Sequence, residues 1–169
     1  GYGNVFSDSS PGLRLWFDGN DVNSDGQKDL ASNFLSEAKI SLWADKSGNT
    51  NNPTQGNSAE MATWMPNALN EKALVQFAVG SSFNVSSAVP NAQVIFIVHR
   101  QANTSVSQVM GGDLQTTDAN GKFTLGQNGN PDYSITSTVD SVNFSVNTLR
   151  ITPGSQGLWI NGFSVGYAN

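Results

Sequence analysis

The chain has 169 residues, 37% of them hydrophobic and only 12% charged, with a formal net charge of −5, no Cys and a single His. That length suits one domain with a two-layer core, while the acidic balance leaves no basic footprint for nucleic acid or acidic lipid. The missing Cys removes thiol chemistry, the lone His all but excludes an ordinary zinc site, and no segment approaches the roughly 20 apolar residues of a membrane span.

In chain order, Leu13 to Phe17 reads as a short apolar strand, followed by an Asp-rich loop. Leu30 to Ala38 carries the only helical signal, a turn or two broken by Asn and Ser. Ile40 to Ala44 reads as a strand that ends at the turn Asp45-Lys46-Ser47-Gly48-Asn49, where Asp45 and Asn49 are expected to form a side-chain network. Trp64 lies between Met61 and Met65, ahead of Pro66, in what reads as a less regular segment. Leu74 to Val79 alternates, with Val75, Phe77 and Val79 on one face. The unbroken apolar run Val94 to Val98 predicts a central strand covered on both sides, with His99 at its end. Lys122 to Leu125, Tyr133 to Thr138, Val142 to Val146 and Leu149 to Thr152 follow as further strands. Asn120-Gly121 and Asn128-Gly129 mark connections, and Asn161-Gly162, between Leu158-Trp159-Ile160 and Phe163-Ser164-Val165, predicts a tight hairpin with a primed turn. Many short strands, frequent turns and little helix give an all-β expectation: a jelly-roll β-sandwich of two antiparallel sheets.

The stretch Asp21-Val22-Asn23-Ser24-Asp25-Gly26-Gln27-Lys28-Asp29 carries the clearest chemistry. Asp21, Asn23 and Asp25 stand at loop positions 1, 3 and 5, Gly26 at the sharp turn, and Asp29 at position 9, with Gln27 placed to offer its backbone carbonyl. Oxygens at that spacing wrap a hard cation at roughly 2.3–2.6 Å. Asp18 stands just upstream as a further candidate, and Ser32 occupies the position where an EF-hand has a bidentate Glu. With a strand before it instead of a helix, the loop is more similar to the short calcium loops of dockerins and thrombospondin-type repeats. A polar turn that happens to be Asp-rich is the plain alternative. Against it, the carboxylates of Asp18, Asp21, Asp25 and Asp29 have only Lys28 nearby in sequence to offset them. Calcium in a structural role is therefore expected.

Leu13-Arg14-Leu15-Trp16-Phe17-Asp18, the Asp-rich loop, and Ile40-Ser41-Leu42-Trp43-Ala44-Asp45-Lys46-Ser47-Gly48-Asn49 come in that order, before Asn51-Asn52-Pro53-Thr54-Gln55, Pro66-Asn67 and Leu74-Val75-Gln76-Phe77. Together with Leu158-Trp159-Ile160-Asn161-Gly162 this pattern, which covers most of the chain, resembles the bacterial laminin-G-like members of the concanavalin A-like lectin/glucanase superfamily. Such modules recur in large secreted proteins, including calcium-dependent surface adhesins. The resemblance implies one β-sandwich domain over residues 1–169, a piece of a larger secreted or cell-surface protein. It also implies calcium and often a carbohydrate ligand. Domains of this kind usually add a closing strand after the final hairpin, where this sequence stops at Asn169.

Catalysis is not expected. A glycosidase needs two carboxylates about 5–10 Å apart, and Glu37, Glu60 and Glu71 form no Glu-x-Asp-x-x-Glu run. His99 and Arg100 are neighbours, so in a strand they face opposite ways. The sequence favours a module that binds glycans or other cell-surface ligands over a calcium-rigidified spacer between neighbouring domains. Asn, Ser, Thr and Gly fill nearly every connection, a polar but uncharged surface suited to sugar hydroxyls. Trp64 is the candidate for stacking on a sugar ring, against the commoner role of anchoring a loop to the core.

Overall fold

A computed structural model of the chain describes residues 12–30, 38–85, 94–100, 107–108, 116–117, 123–124, 144–152 and 155–168. The described residues contain no helix and are all-β, with antiparallel pairing throughout. They fall into two compact units, residues 1–90 and 91–169. Residues 31–37 of the helical turns expected over Leu30 to Ala38, the strand Tyr133 to Thr138, and the turns Asn120-Gly121 and Asn128-Gly129 lie outside the described residues.

In the first unit, β1 (Lys39–Ile40), β2 (Ala62–Leu69) and β3 (Lys72–Gln76) form one sheet in that order. Its core is small: Val22, Ile40, Ala62 and Trp64 are buried, with Trp43, Ala73, Val75 and Phe83 packed against them. Trp64 lies within β2, paired with Val75 of β3, and the irregularity expected near Pro66 follows directly: the register shifts between Met65 and Leu69, with Asn67 at φ 52°. The turn between β2 and β3 places Asn70 and Glu71 at φ 47° and 62°. Positive φ at both central residues suits a hairpin turn to the twist of its strands, and without Gly there the turn carries no sequence signal of the usual kind.

Three strand expectations in this unit are corrected. Leu13 to Phe17 is not a strand, because its backbone groups are satisfied by the 45–51 turn instead of by a ladder. The Trp16 amide donates to Asp45 Oδ1 at 2.9 Å, the Trp16 carbonyl accepts from the Lys46 amide, and Asn49 Nδ2 donates to the Leu13 carbonyl. The second concerns Leu74 to Val79, where β3 stops at Gln76. Val75 does pack inward, but Phe77 is half exposed and Val79 lies in a turn, fully exposed. Ile40 to Ala44 is a strand only at its start: Leu42 makes an isolated bridge with Thr54, and the Ala44 amide reaches across to the Val22 carbonyl at 2.8 Å.

The second unit contains β4 (Val94–His99), β8 (Ser145–Thr152), β9 (Ser155–Ile160) and β10 (Phe163–Ala168), in the order β10-β9-β8-β4. A separate small sheet consists of β5 (Ser107–Gln108), β6 (Thr116–Thr117) and β7 (Phe123–Thr124). Among the described residues the continuous apolar run Val94 to Val98 pairs on one side only, with β8. One side of it, Ile95, Ile97 and His99, is half-buried, while Val94, Phe96 and Val98 are exposed. An unbroken apolar run identifies a strand but not which of its faces is covered. Phe144 precedes β8, and the two expected strands around Val146 and Leu149 are a single one. Leu149 and Leu158 are paired across β8 and β9 and form the buried centre of this sheet. The expected primed hairpin is present, with Asn161 at φ 50° and Gly162 at φ 82° between β9 and β10.

Candidate functional site

The Asp21 to Asp29 loop is anchored in the first unit's core at its two ends and exposes its middle. Val22 is a core residue, and the acidic residues that bound the loop are almost fully buried, Asp21 at 3% and Asp29 at 3% exposure. Asn23, Asp25, Gly26 and Gln27 form the exposed rim. The Asp29 amide closes the loop on the Asn20 carbonyl at 2.7 Å, and the Asn20 side-chain oxygen accepts from the Ala73 amide of β3 at 3.0 Å.

The carboxylates organise the backbone. Asp21 Oδ1 accepts from the Asp25 amide and Asp21 Oδ2 from the Gly26 amide, each at 3.1 Å. Asn23 Oδ1 accepts from the Asp25 amide and Asp25 Oδ1 from the Gln27 amide, so two successive side chains each cap the backbone two residues on. Gly26 takes φ 81°, a left-handed conformation that the loop needs and Gly adopts without strain. Asp29 Oδ2 accepts from the Val22 amide at 2.6 Å. Asp29 Oδ1 is buried and has no hydrogen-bond partner. Burial pushes the Asp29 carboxyl above its ordinary value, the nearby Asp21 and Asp25 carboxylates add to this, and the Val22 and Asn23 amides offset part of it.

Charge compensation differs from the sequence expectation. Lys28 turns away from the loop and donates to the Glu71 carbonyl at 2.8 Å. The cation at the loop is Lys46, whose ammonium lies 2.6 Å from Asp21 Oδ2 and 3.6 Å from Asp18 Oδ2, and 4.8 Å from the centre of the Trp16 ring. The spacing pattern could not reveal it, since it stands 25 residues from Asp21. Asp18 is committed to the Asn20 amide and to Lys46.

Of the residues expected to hold calcium, Asp21, Asn23, Asp25 and Gln27 are joined by their own hydrogen bonds, and Asp29 reaches the loop through Val22. Among the described residues no three His, Asp or Glu side chains come together as a metal cluster. The orphaned Asp29 Oδ1 is nevertheless the kind of atom a cation satisfies, since a buried carboxylate oxygen without a partner is costly.

Trp64 does not fit the sugar-stacking role. Its ring is 0% exposed and its indole N–H donates to the Gly19 carbonyl at 2.9 Å, so it presents no face to a ligand. The turn network expected at Asp45 is present and larger than expected, with Trp16, Ser47 and Asn51 amides and the Ser47 hydroxyl all donating to its carboxylate. A shallow depression of about 170 Å³ beside the acidic loop is lined by Val22, Asn23, Lys39, Ile40, Ser41 and Leu42. In the second unit, His99 Nδ1 lies 2.9 Å from Asn147 Nδ2, which also donates to Ser145 Oγ.

No protein-family model matches the chain, and no significant match is found among curated proteins or solved structures.

Proposed function

We propose that the chain is a calcium-binding, lectin-like module of a secreted or bacterial cell-surface protein, with a concanavalin A-like jelly roll as its fold. The observation that carries the calcium reading is Asp29, buried at 3% exposure with Oδ1 unpartnered beside the acidic loop. Asp21, Asn23, Asp25 and Asp29 would supply side-chain oxygens and Gln27 its backbone carbonyl. The cation's part is electrostatic and structural: it neutralises carboxylates that otherwise repel one another and fixes a loop whose Val22 is part of the core. Nothing in this role calls for a catalytic step, and the module is read as a non-enzyme.

The carbohydrate part rests on the polar, weakly charged surface and on the depression beside Asn23, where the loop's rim adjoins Lys39 and Ser41. Hydroxyl-rich ligands match side-chain amides and hydroxyls of that kind. A second reading, a spacer rigidified by calcium between domains of a large adhesin, is favoured by the burial of Asp21 and Asp29, which sets the ion's support toward the core.

A metal count on purified protein, a melt in calcium and in chelator, and a glycan array run in calcium test both readings. Bound calcium, a higher melting temperature and calcium-dependent glycan binding are the expected results. Calcium loading without binding to any glycan would leave the spacer reading. Absence of bound metal, with identical melts, would overturn the calcium reading.

A further inference from the structure

We propose that Lys46 is a resident cation of the acidic loop, competing with calcium for Asp21 and thereby setting the loop's calcium affinity, an inference that rests on the calcium reading above. Lys46 Nζ lies 2.6 Å from Asp21 Oδ2 and 3.6 Å from Asp18 Oδ2, and only 12% of its side chain is exposed. The ring of Trp16, 4.8 Å away, holds the ammonium from another side. Asp21 Oδ2 is thereby filled, taking the ammonium and the Gly26 amide, while Oδ1 takes the Asp25 amide.

Asp29, at the other end of the loop, has an oxygen with no partner, and the exposed rim of Asn23, Asp25, Gly26 and Gln27 gives an ion its way in. An ion that recruits Asp29 and Asp25 meets Asp21 already holding a positive charge at contact distance. Either the ammonium withdraws from Asp21 as the ion arrives, or the two cations stand close together and repel. Both routes weaken calcium binding relative to a loop without Lys46. The same ammonium keeps Asp21 and Asp18 compensated when calcium is low, so the loop holds its shape across a range of calcium concentrations. The pairing couples two segments that are remote in sequence, the acidic loop and the 45–51 turn, through one charge.

The test uses the whole chain. Lys46→Met keeps the apolar stem against Trp16 and removes the charge, and Lys46→Arg keeps the charge. Calorimetric titration with calcium is expected to show Lys46→Met binding at least about tenfold tighter than the unsubstituted chain, with Lys46→Arg within about threefold of it. In chelator Lys46→Met should melt lower than the unsubstituted chain and recover on adding calcium. A second measurement needs no variant: the Lys46 NH3+ resonance, followed by NMR during a calcium titration, should move with the same midpoint as binding. Calcium binding to the unsubstituted chain with an unmoved Lys46 resonance overturns the proposal and leaves the calcium reading standing, as does equal affinity in Lys46→Met. Absence of calcium binding to the unsubstituted chain and to both variants overturns the calcium reading and this proposal with it. If Lys46→Met fails to fold in calcium, the resonance alone decides.

Discussion

The indole N–H of Trp64 and the carbonyl of Gly19 are joined at 2.9 Å, tying the centre of β2 to the segment that enters the acidic loop. Gly19 sits so close to β3 that an added Cβ would stand 3.0 Å from the Ala73 carbonyl oxygen and 3.3 Å from Leu74 Cα. Both contacts are with backbone, which has little room to yield. Gly19→Ala is therefore expected to lower stability by about 1–3 kcal/mol. Trp64→Phe keeps a ring in the core but leaves the Gly19 carbonyl without that donor, at a cost of about 1–3 kcal/mol. Urea denaturation of the two variants checks this, and a Gly19→Ala protein as stable as its parent would contradict the close approach.

Asp45 should be the most sensitive polar residue of the first unit. It is buried at 7% exposure and accepts from three backbone amides and one hydroxyl, which together shape the 45–51 turn and anchor Trp16. Asp45→Ala strands several of these donors and is expected to cost about 3–5 kcal/mol. Asp45→Asn, which keeps one acceptor, should lose less. Equal stability of the two variants would show that the carboxylate's second oxygen matters little.

Calcium at about a hundredfold excess over its dissociation constant should stabilise the chain by about 2.7 kcal/mol, a rise of roughly 5–10 °C in melting temperature. Asp29→Asn retains an acceptor for the Val22 amide and removes the charge that would draw the ion. It is expected to abolish the calcium-dependent rise while melting in chelator within about 3 °C of the unsubstituted chain. Calorimetry in calcium and in chelator reads both quantities. An undiminished calcium shift in Asp29→Asn would remove that residue from the site.

The second unit supplies a pH dependence. Burial pushes the His99 ring below its ordinary value of 6.5. As pH falls through 6.5 the unfolded chain takes up a proton before the folded chain does, so acid favours unfolding in that interval. The stability contributed by neutral His99 is intact above 6.5 and is lost as pH drops to the folded value. Denaturation at pH 7.5 and 5.5 should show a smaller acid-induced loss in His99→Gln than in the unsubstituted chain, and identical losses would contradict the assignment.

How much of this was legible in the sequence depended on whether the signal was local. The Asn161-Gly162 hairpin was legible because its turn chemistry lies in two adjacent residues. The acidic loop was legible as a spacing of oxygens, and the Asp45 turn as a cluster of side chains that bond their own neighbourhood. Lys46 was not, because nothing in its surroundings states that its ammonium reaches Asp21. For Trp64, Pro66 and the flanking Met residues marked a real irregularity, the register shift after Met65, but the pairing with Val75 that places Trp64 itself in the strand is not a local signal. For Val94 to Val98, composition identified a strand, but which strands flank it is a property of the sheet.

Surface loops ordinarily absorb changes in length, because nothing beneath them registers the change. The segment from Asp21 to Asp29 lacks that tolerance. Val22 is part of the core, and the two ends are fixed by the Asn20 carbonyl and the Val22 amide. An insertion or deletion within it would shift a buried side chain out of register with Ile40 and Trp64, as it would inside a strand. In divergence of this chain, the number of residues between Asp21 and Asp29 should stay fixed even where Ser24 and the rim residue Gln27 change identity.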